Sequence, residues 1–557
     1  MDYSAFYQPG VPVNIELPTN SLVELYETAV AEAQSSVALD FFGRTTSYAQ
    51  LGDQIARAAE GLRRLGVHPG DRVALILPNC PQHVVAFYAV LRLGAIVVEH
   101  NPLYTARELR HMFEDHGARV VIAWDVAVAR LRQQPDDIAL DHIVAVNLLD
   151  EFPALSRLAL GLPIPALRRR RAQLTAKAKD TLAWRKLVDN PPLDSAHPRP
   201  AVADTAVIQY TSGTTGQPKG AMLSHYNLYA NARQGEAWMH GARYREETFY
   251  AILPMFHAFG LTLFMTYGIL KQARIHLFPT FDVNLVMSAA KKHPPTVFCA
   301  VPPIFEKTAQ IARQRGISLK TAKYCISGAM TLPDTVVQLW EEQSGGLLVE
   351  GYGLTEASPV VMGNPFWPSR RTGTIGLPFP STEIKVVSPD DPTQEVAPGE
   401  AGELLVRGPQ VFQGYWRNPV ETEAVLRPDG WLLTGDIVTQ DADGFTSVVD
   451  RIKELIITGG FNVAPSEVEL VLQAFPGVAD VAVVGLPHPH VGEEVVAVIV
   501  PTTGQELDRD AVAAFCRVRL TGYKVPRRIE FVTELPRSIL GKVLRAEVRR
   551  RLLADPT

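Results

Sequence analysis

Tyr210-Thr-Ser-Gly-Thr-Thr-Gly-Gln-Pro-Lys-Gly220 is the stretch whose reading decides the fold. The run leading into it, Ala206-Val-Ile-Gln-Tyr210, is short and apolar and predicts a buried strand, and from about Tyr226 the pattern turns helical. A loop with three glycines, four hydroxyl side chains and one lysine is therefore expected between a strand and a helix. Backbone N–H groups of such a loop converge on an anion, and glycine lets the backbone come close. The hydroxyls add donors or metal-ligating oxygens, and Lys219 adds a positive charge. The ligand this suits best is a polyphosphate. The stretch is not the Gly-x-x-x-x-Gly-Lys-[Ser/Thr] loop, because Pro218 stands five residues after Gly213. A solvated Gly/Thr turn is the bland alternative, but eleven consecutive residues of this kind ending in Pro-Lys-Gly disfavour it.

Working outward toward the N-terminus, residues 21 to 66 read as a helix, a strand pair and a second helix starting near Thr46-Ser-Tyr-Ala-Gln-Leu51. Val73–Leu77 and Ala95–Val98 read as buried strands separated by a helix over Pro81–Leu93. Thr105 and Glu108 have the capping-box spacing, Gly117 supplies the stop of that helix, and Arg119–Trp124 is the next strand. Alternating strands and helices predict a mostly parallel, helix-covered sheet. Residues 152 to 200 break the rhythm. Phe152–Leu167 is apolar with prolines, followed by Arg168-Arg-Arg-Arg171, Lys177, Lys179, Arg185 and Lys186. This is either a solvated helical insertion or a segment that docks on an anionic bilayer.

Toward the C-terminus, Leu253-Pro-Met-Phe-His257-Ala-Phe-Gly260 places a histidine among aromatics at a strand end. Leu347–Glu350 reads as a strand, followed by Gly351-Tyr-Gly-Leu-Thr-Glu356. Its glycines allow a planar ring to lie on backbone and Tyr352, and Thr355 and Glu356 bring a hydroxyl and a carboxylate together. Such oxygens suit Mg2+. Asp429-Gly-Trp-Leu-Leu-Thr-Gly-Asp436 offers a carboxylate for two ribose hydroxyls. From about 451 the elements shorten into a small α+β domain that carries Leu535-Pro-Arg-Ser-Ile-Leu-Gly-Lys542, a glycine before an exposed lysine.

At 557 residues, two or three domains are expected. A net charge of −5 argues against whole-chain nucleic-acid binding. Cys80, Cys299, Cys325 and Cys516 lack disulfide or zinc spacing, so a reducing compartment is expected. No signal peptide and no apolar window of membrane-spanning length stands out.

These motifs, in this order from about residue 20 to 550, resemble the adenylate-forming superfamily: acyl-CoA synthetases, peptide-synthetase adenylation domains and beetle luciferases. Asp429–Lys453 looks like the region diagnostic of fatty acyl-CoA synthetases, and Asn101–Leu109 and the basic insertion look closest to bacterial long-chain fatty-acid–CoA ligases. The resemblance implies an α/β fold. Residues 1–449 would form a large domain of helix-covered, mostly parallel sheets plus a β-barrel-like subdomain, and 450–557 a small mobile α+β domain. It implies ATP contacts at Thr211, Ser212, Gly213, Thr214, Thr215, Gly216, Lys219, Gly328, Ala329, Glu350, Gly351, Tyr352, Gly353, Thr355, Asp436 and Arg451. Lys542, His257, Thr355 and Glu356 would be catalytic, with Mg2+ on Thr211 and Glu356. Asp450 and Lys453 would form the hinge, Gly459, Gly460 and Phe461 the coenzyme A path, and His257, Phe259 and Gly328 the acyl pocket. Some long-chain members carry a tryptophan gate where this chain has Leu261.

The implied activity is acyl-AMP formation from ATP and a fatty acid, then transfer to coenzyme A. The implied partners are these small molecules and no nucleic acid, with membrane contact through 152–190 and a homodimer as further expectations. The location would be cytoplasmic, against the inner face of the membrane. An aryl acid substrate is the alternative on the same scaffold. A non-catalytic lipid-binding protein would have lost Lys219, Glu356, Asp436 or Lys542, and all four are present.

Overall fold

The computed structural model describes residues 3–134, 137–211, 218–451, 454–458, 461–488, 491–538 and 541–554. Two compact units emerge: Met1–Glu383 with Arg407–Leu432, and Ile384–Val406 with Leu433–Thr557.

The larger unit holds two sheets. The first has seven strands in the order Leu182–Ala183, His142–Val146, Val120–Trp124, Arg72–Ile76, Ile96–Glu99, Thr205–Thr211, Lys219–Ser224. All neighbours are parallel except the last pair. Its central strands are near-continuous runs of Val, Ile and Ala because helices cover both faces. The helices begin where the chain supplies caps. Ser47 and Gln50 form a capping box at Tyr48–Arg64, Pro81 opens Pro81–Arg92, and Thr105 with Glu108 caps Ala106–His116. Gly117 ends the last in the left-handed region, φ +62°.

The deciding stretch departs from its expected setting. It connects two paired strands, not a strand and a helix: Thr211 stands opposite Lys219 in an antiparallel ladder. Helix His225–Trp238 starts only after that ladder, capped by Ser224 and Asn227. The reason is non-local. Lys219–Ser224 has a second neighbour on its other edge, where Trp416 N–H donates to Gly220 O at 2.7 Å and Met222 N–H to Gly414 O at 2.9 Å. Glycine is required at 220, since a Cβ there would lie 2.7 Å from Ile208 Cγ2.

The second sheet has nine strands. Its six parallel members are Leu348–Gly353, Tyr324–Ser327, Val297–Ala300, Thr248–Ala251, Arg274–Leu277 and Val37–Phe41. Antiparallel strands extend both edges. Phe298, Phe305 and Trp340 pack with 4.7–5.3 Å between ring centroids to anchor one face. The strand expected to stop at Glu350 runs on through Gly353, because Val360–Gly363 folds back and places Gly363 and Met362 opposite Gly351 and Tyr352.

The smaller unit contains a four-stranded sheet, Glu383–Val387, Ala401–Arg407, Leu432–Gln440 and Thr446–Arg451, where the β-barrel-like subdomain was expected. It also contains a five-stranded sheet built on the antiparallel pair Val478–His488 and Gly492–Pro501. The expected boundary between 449 and 450 falls inside a strand that continues to Arg451, and compactness groups the four-stranded sheet with the C-terminal part.

All four cysteines are buried and unpaired. Burial pushes the thiols of Cys80 and Cys325 up to about 12. Among the described residues no helix is long and apolar enough to cross a membrane.

Candidate active site

Lys219 opens the edge strand beside the deciding loop, and its side chain is largely buried. Its ammonium pairs with Glu421 and stands 5.1 Å from the ring centre of Tyr415. The Tyr415 hydroxyl in turn donates to Glu356 Oε1 at 2.7 Å. One aromatic side chain therefore links the ammonium of Lys219 to the carboxylate expected to hold a metal. Tyr415 is itself fixed. Its N–H donates to Thr422 Oγ1 at 2.9 Å, it pairs with Ala221, and Phe412 packs edge-on at 5.0 Å. Burial, then the charge of Glu356, raises its pKa and keeps the hydroxyl a donor. The backbone carbonyl of Glu356 accepts from Phe412 N–H at 2.8 Å, so both ends of Glu356 rest on residues 412–415.

A second cluster forms at His257. The ring caps Ala258–Gly260, its Nδ1 accepting from Phe259 N–H at 3.4 Å. Burial lowers its pKa to about 4, so it is a neutral imidazole at pH 7. The loop carrying it is held by two residues of the seven-stranded sheet, Asn79 just after Arg72–Ile76 and Gln209 within Thr205–Thr211. Asn79 donates to Ala251 O and Leu253 O and accepts from Met255 N–H, each at 2.8 Å, and Gln209 donates to Phe256 O at 2.7 Å. Phe259 lies against Gly328 so closely that a Cβ there would stand 2.9 Å from Cε1, and 3.5 Å from Gly351 O. His257, Phe259, Gly328 and Gly351 thus share one locality. After Phe259 the buried segment Leu261–Tyr267 is wound as a π-helix, a form concentrated at functional sites.

Ala329 follows Gly328 with φ +67°, an exposed non-glycine residue in the left-handed region. Glu350 is buried, and burial pushes its carboxyl to about 7. Its Oε1 accepts from Leu332 N–H at 3.1 Å, while Oε2 is buried without a hydrogen-bond partner. Tyr352 and Gly353 end the same strand, and Thr355 opens the short turn Thr355–Ala357.

In the smaller unit, Asp436 is buried and faces Arg451 across an antiparallel pair. Asp450 Oδ2 accepts from the N–H and hydroxyl of Ser466 at 2.9 and 2.8 Å. Phe461 pairs with Thr458 in a short hairpin. Lys542 is exposed on a tight turn in which Ser538 N–H donates to its carbonyl at 2.7 Å. Ser212, Gly213, Thr214, Thr215, Gly216, Lys453, Gly459 and Gly460 lie outside the described residues.

Tyr415 and Glu421 were missed by sequence reasoning, as was Asn79. The signal available was Gln413-Gly-Tyr-Trp416, an aromatic pair behind a glycine.

Mixed α/β sheets with a buried lysine beside a Gly/Thr loop on one unit, and a second lysine turn on a separate small unit, are the arrangement of a two-unit nucleotide-using enzyme. The chain belongs to the AMP-binding enzyme family: that family's model matches residues 26–416, and the AMP-binding enzyme C-terminal domain matches 467–542. It is 37% identical to a long-chain-fatty-acid--CoA ligase of Bacillus subtilis, covering 99% of this chain and 98% of that one. It is 36% identical to a feruloyl-CoA synthase of an Amycolatopsis species, covering 91% and 94%. Among solved structures it is similar to a Mycobacterium tuberculosis fatty acyl CoA synthetase, with TM-score 0.72, 26% identity, and 96% and 98% coverage.

Proposed function

We propose that the protein joins a medium- or long-chain fatty acid to coenzyme A in two steps: the carboxylate attacks the α-phosphate of ATP to give acyl-AMP and pyrophosphate, and a thiol then displaces AMP. The observation that carries this is the chain of contacts Lys219–Tyr415–Glu356, which gathers a cation and a carboxylate beside the loop of anion-binding composition. The first step brings two anions together, so it needs positioning and charge stabilisation and no protein nucleophile. Lys219 and the loop donors would bind the phosphates, with Glu421 as the carboxylate that a phosphate displaces from Lys219. Neutral His257 would border the reacting carboxylate without adding charge, while Phe259 and Gly328 shape the acyl entrance. Asp436 would hold the ribose, and Lys542 would supply the cation of the adenylation step.

Glu356 fits Mg2+: Tyr415 occupies one of its oxygens and the other has no partner among the described residues. Those residues hold no cluster of three metal-ligating side chains, as suits an ion bound largely through phosphate and water. Glu356 and Thr211 would hold it, and its contribution when bound is to neutralise phosphate charge.

A second reading, an aryl acid substrate, is favoured by the feruloyl-CoA synthase relative. AMP formation across a panel of alkyl and aryl acids decides. Turnover that requires coenzyme A and Mg2+ and rises with alkyl chain length is expected; turnover confined to aryl acids would replace the fatty acid, and none with any acid would end both.

The proposed location is cytoplasmic with peripheral membrane contact. Leu155 and Leu158, one turn apart on Ala154–Leu160, are 82% and 71% exposed, and Leu162, Ile164 and Arg168–Arg171 are exposed beside them. Leucines next to a run of guanidinium groups suit an anionic bilayer. Leu155→Glu with Leu158→Glu is expected to lower co-sedimentation with anionic vesicles; unchanged binding would leave a solvated insertion. A homodimer is tested by sedimentation.

A further inference from the structure

Arg545 stands three residues after Lys542, at the start of helix Arg545–Ala554, and its guanidinium gathers three carboxylates. Nε and Nη2 form a two-pronged pair with Glu469 at 2.9 and 2.6 Å. Nη1 bonds Glu454 and lies 3.5 Å from Asp450 Oδ1. Nη2 also donates to Ser466 Oγ at 3.3 Å, the same hydroxyl that donates to Asp450. The four charged side chains are at most 19% exposed. Burial works against the arginine's charge, but Glu469, Glu454 and Asp450 more than offset it, and its pKa is raised.

The covalent neighbourhood gives this cluster its meaning. The turn bearing Lys542 closes through a bridge between Arg537 and Val543 and a bond from Leu544 N–H to Pro536 O at 2.9 Å. Arg545 is the next residue, so its side chain ties the base of that turn. What it ties to is Asp450, the first residue of the proposed hinge Asp450–Lys453, Glu454, the residue that follows the hinge, and helix Pro465–Gln473 through Ser466 and Glu469. A planar fork with five donors can hold three anions at once; an ammonium cannot reproduce that geometry.

We propose that Arg545 is a positioning residue for the adenylation step, which clamps the Lys542 turn to Asp450 and Glu454, at the start of the hinge and just past its end, so that Lys542 keeps a fixed position relative to them. The proposal rests on the reading of Lys542 as the adenylation cation and of Asp450–Lys453 as the hinge. The guanidinium of Arg545 is taken up by protein groups, so it acts through the Lys542 turn. Its removal displaces Lys542 and leaves Asp450, Glu454 and Glu469 repelling one another.

The test uses the full-length chain, with Arg545→Ala, Arg545→Lys and Glu469→Gln beside Lys542→Ala. Pyrophosphate release reports adenylate formation, thioester formation from supplied acyl-AMP and coenzyme A reports the second step, and thermal unfolding reports the fold. A misplaced catalytic group costs on the order of 10²-fold, so Arg545→Ala is expected to lower the adenylation kcat by about that factor. Arg545→Lys and Glu469→Gln should give about tenfold losses, with KM for ATP and the thioester step within about twofold of wild type. Where Arg545→Ala fails to fold, the two milder variants carry the test. Equal loss of both steps in proportion to Tm, or wild-type adenylation by both milder variants, would overturn the clamp. Wild-type adenylation by Lys542→Ala would instead remove the underlying reading of that lysine, and the clamp with it.

Discussion

Two lysines illustrate two ways of presenting a cation. Lys219 is built into the edge of a sheet, walled by Tyr415 and paired with Glu421, and its surroundings are set by residues about 200 positions away. Lys542 is exposed, its backbone bonds run to Ser538 a few residues away, and Arg545 ties the base of that turn into its unit. On the proposed function the first would fix where charge waits for a polyanion, and the second would supply a charge needed in only one of two successive steps.

The largest test of this contrast is Lys542→Ala. Loss of one cation at a developing charge is worth on the order of 10²–10³ in rate, and here it is expected to fall on adenylate formation alone. Thioester formation from supplied acyl-AMP should survive; if both steps fail equally in folded protein, the carried lysine has no separate role. Tyr415→Phe comes next. It keeps the ring beside Lys219 but deletes the bond to Glu356, a bond to a charged group worth about 1.5–3 kcal/mol. The Mg2+ concentration that half-saturates adenylation is expected to rise at least several-fold, with little change in Tm. An unchanged Mg2+ dependence would mean that Tyr415 does not orient Glu356.

The last effect concerns stability. Burial lowers His100 and His225 to about 3, His257 to about 4 and His116 well below its ordinary value, and all four lie in the larger unit. The folded state keeps them neutral while the unfolded chain takes up protons near pH 6.5, so stability is lost as pH falls below 6.5. Each contributes up to about 1.4 kcal/mol per pH unit while only the unfolded form titrates. Glu350 and Asp125, raised to about 7 and about 6 by burial, oppose this but are fewer. Tm is expected to drop between pH 6.5 and 5, with amide protection lost first in the larger unit. Earlier loss in the smaller unit would break the contrast.

Local signals in the chain were legible, and long-range pairings were not. The Thr105–Glu108 box, Pro81 and Gly117 each act within one helical turn, so their elements could be read directly. The larger unit's parallel sheet and the α+β character of the C-terminal part followed from apolar runs and element lengths. The strand Lys219–Ser224 was hidden because its second edge is residues 413–416, and the extension of a strand through Gly353 depends on Val360–Gly363 folding back. Of the site, Lys219, Glu356, His257 and Gly328 were marked by motif. Tyr415, which joins two of them, sits among residues whose local pattern says only turn and aromatic. The same limit applied to the sheet of Glu383–Arg407 and Leu432–Arg451, whose compact grouping is a matter of three-dimensional packing.

The sunken cysteines have a chemical consequence. A mixed anhydride of a fatty acid is a ready acylating agent for sulfur. An enzyme that makes one risks capturing its own product on any ionised sulfhydryl near the surface. Here each such group is enclosed, and for Cys80 and Cys325 the anionic form is held far from neutral pH. The chain's own sulfhydryls are therefore poor competitors for the activated acyl group.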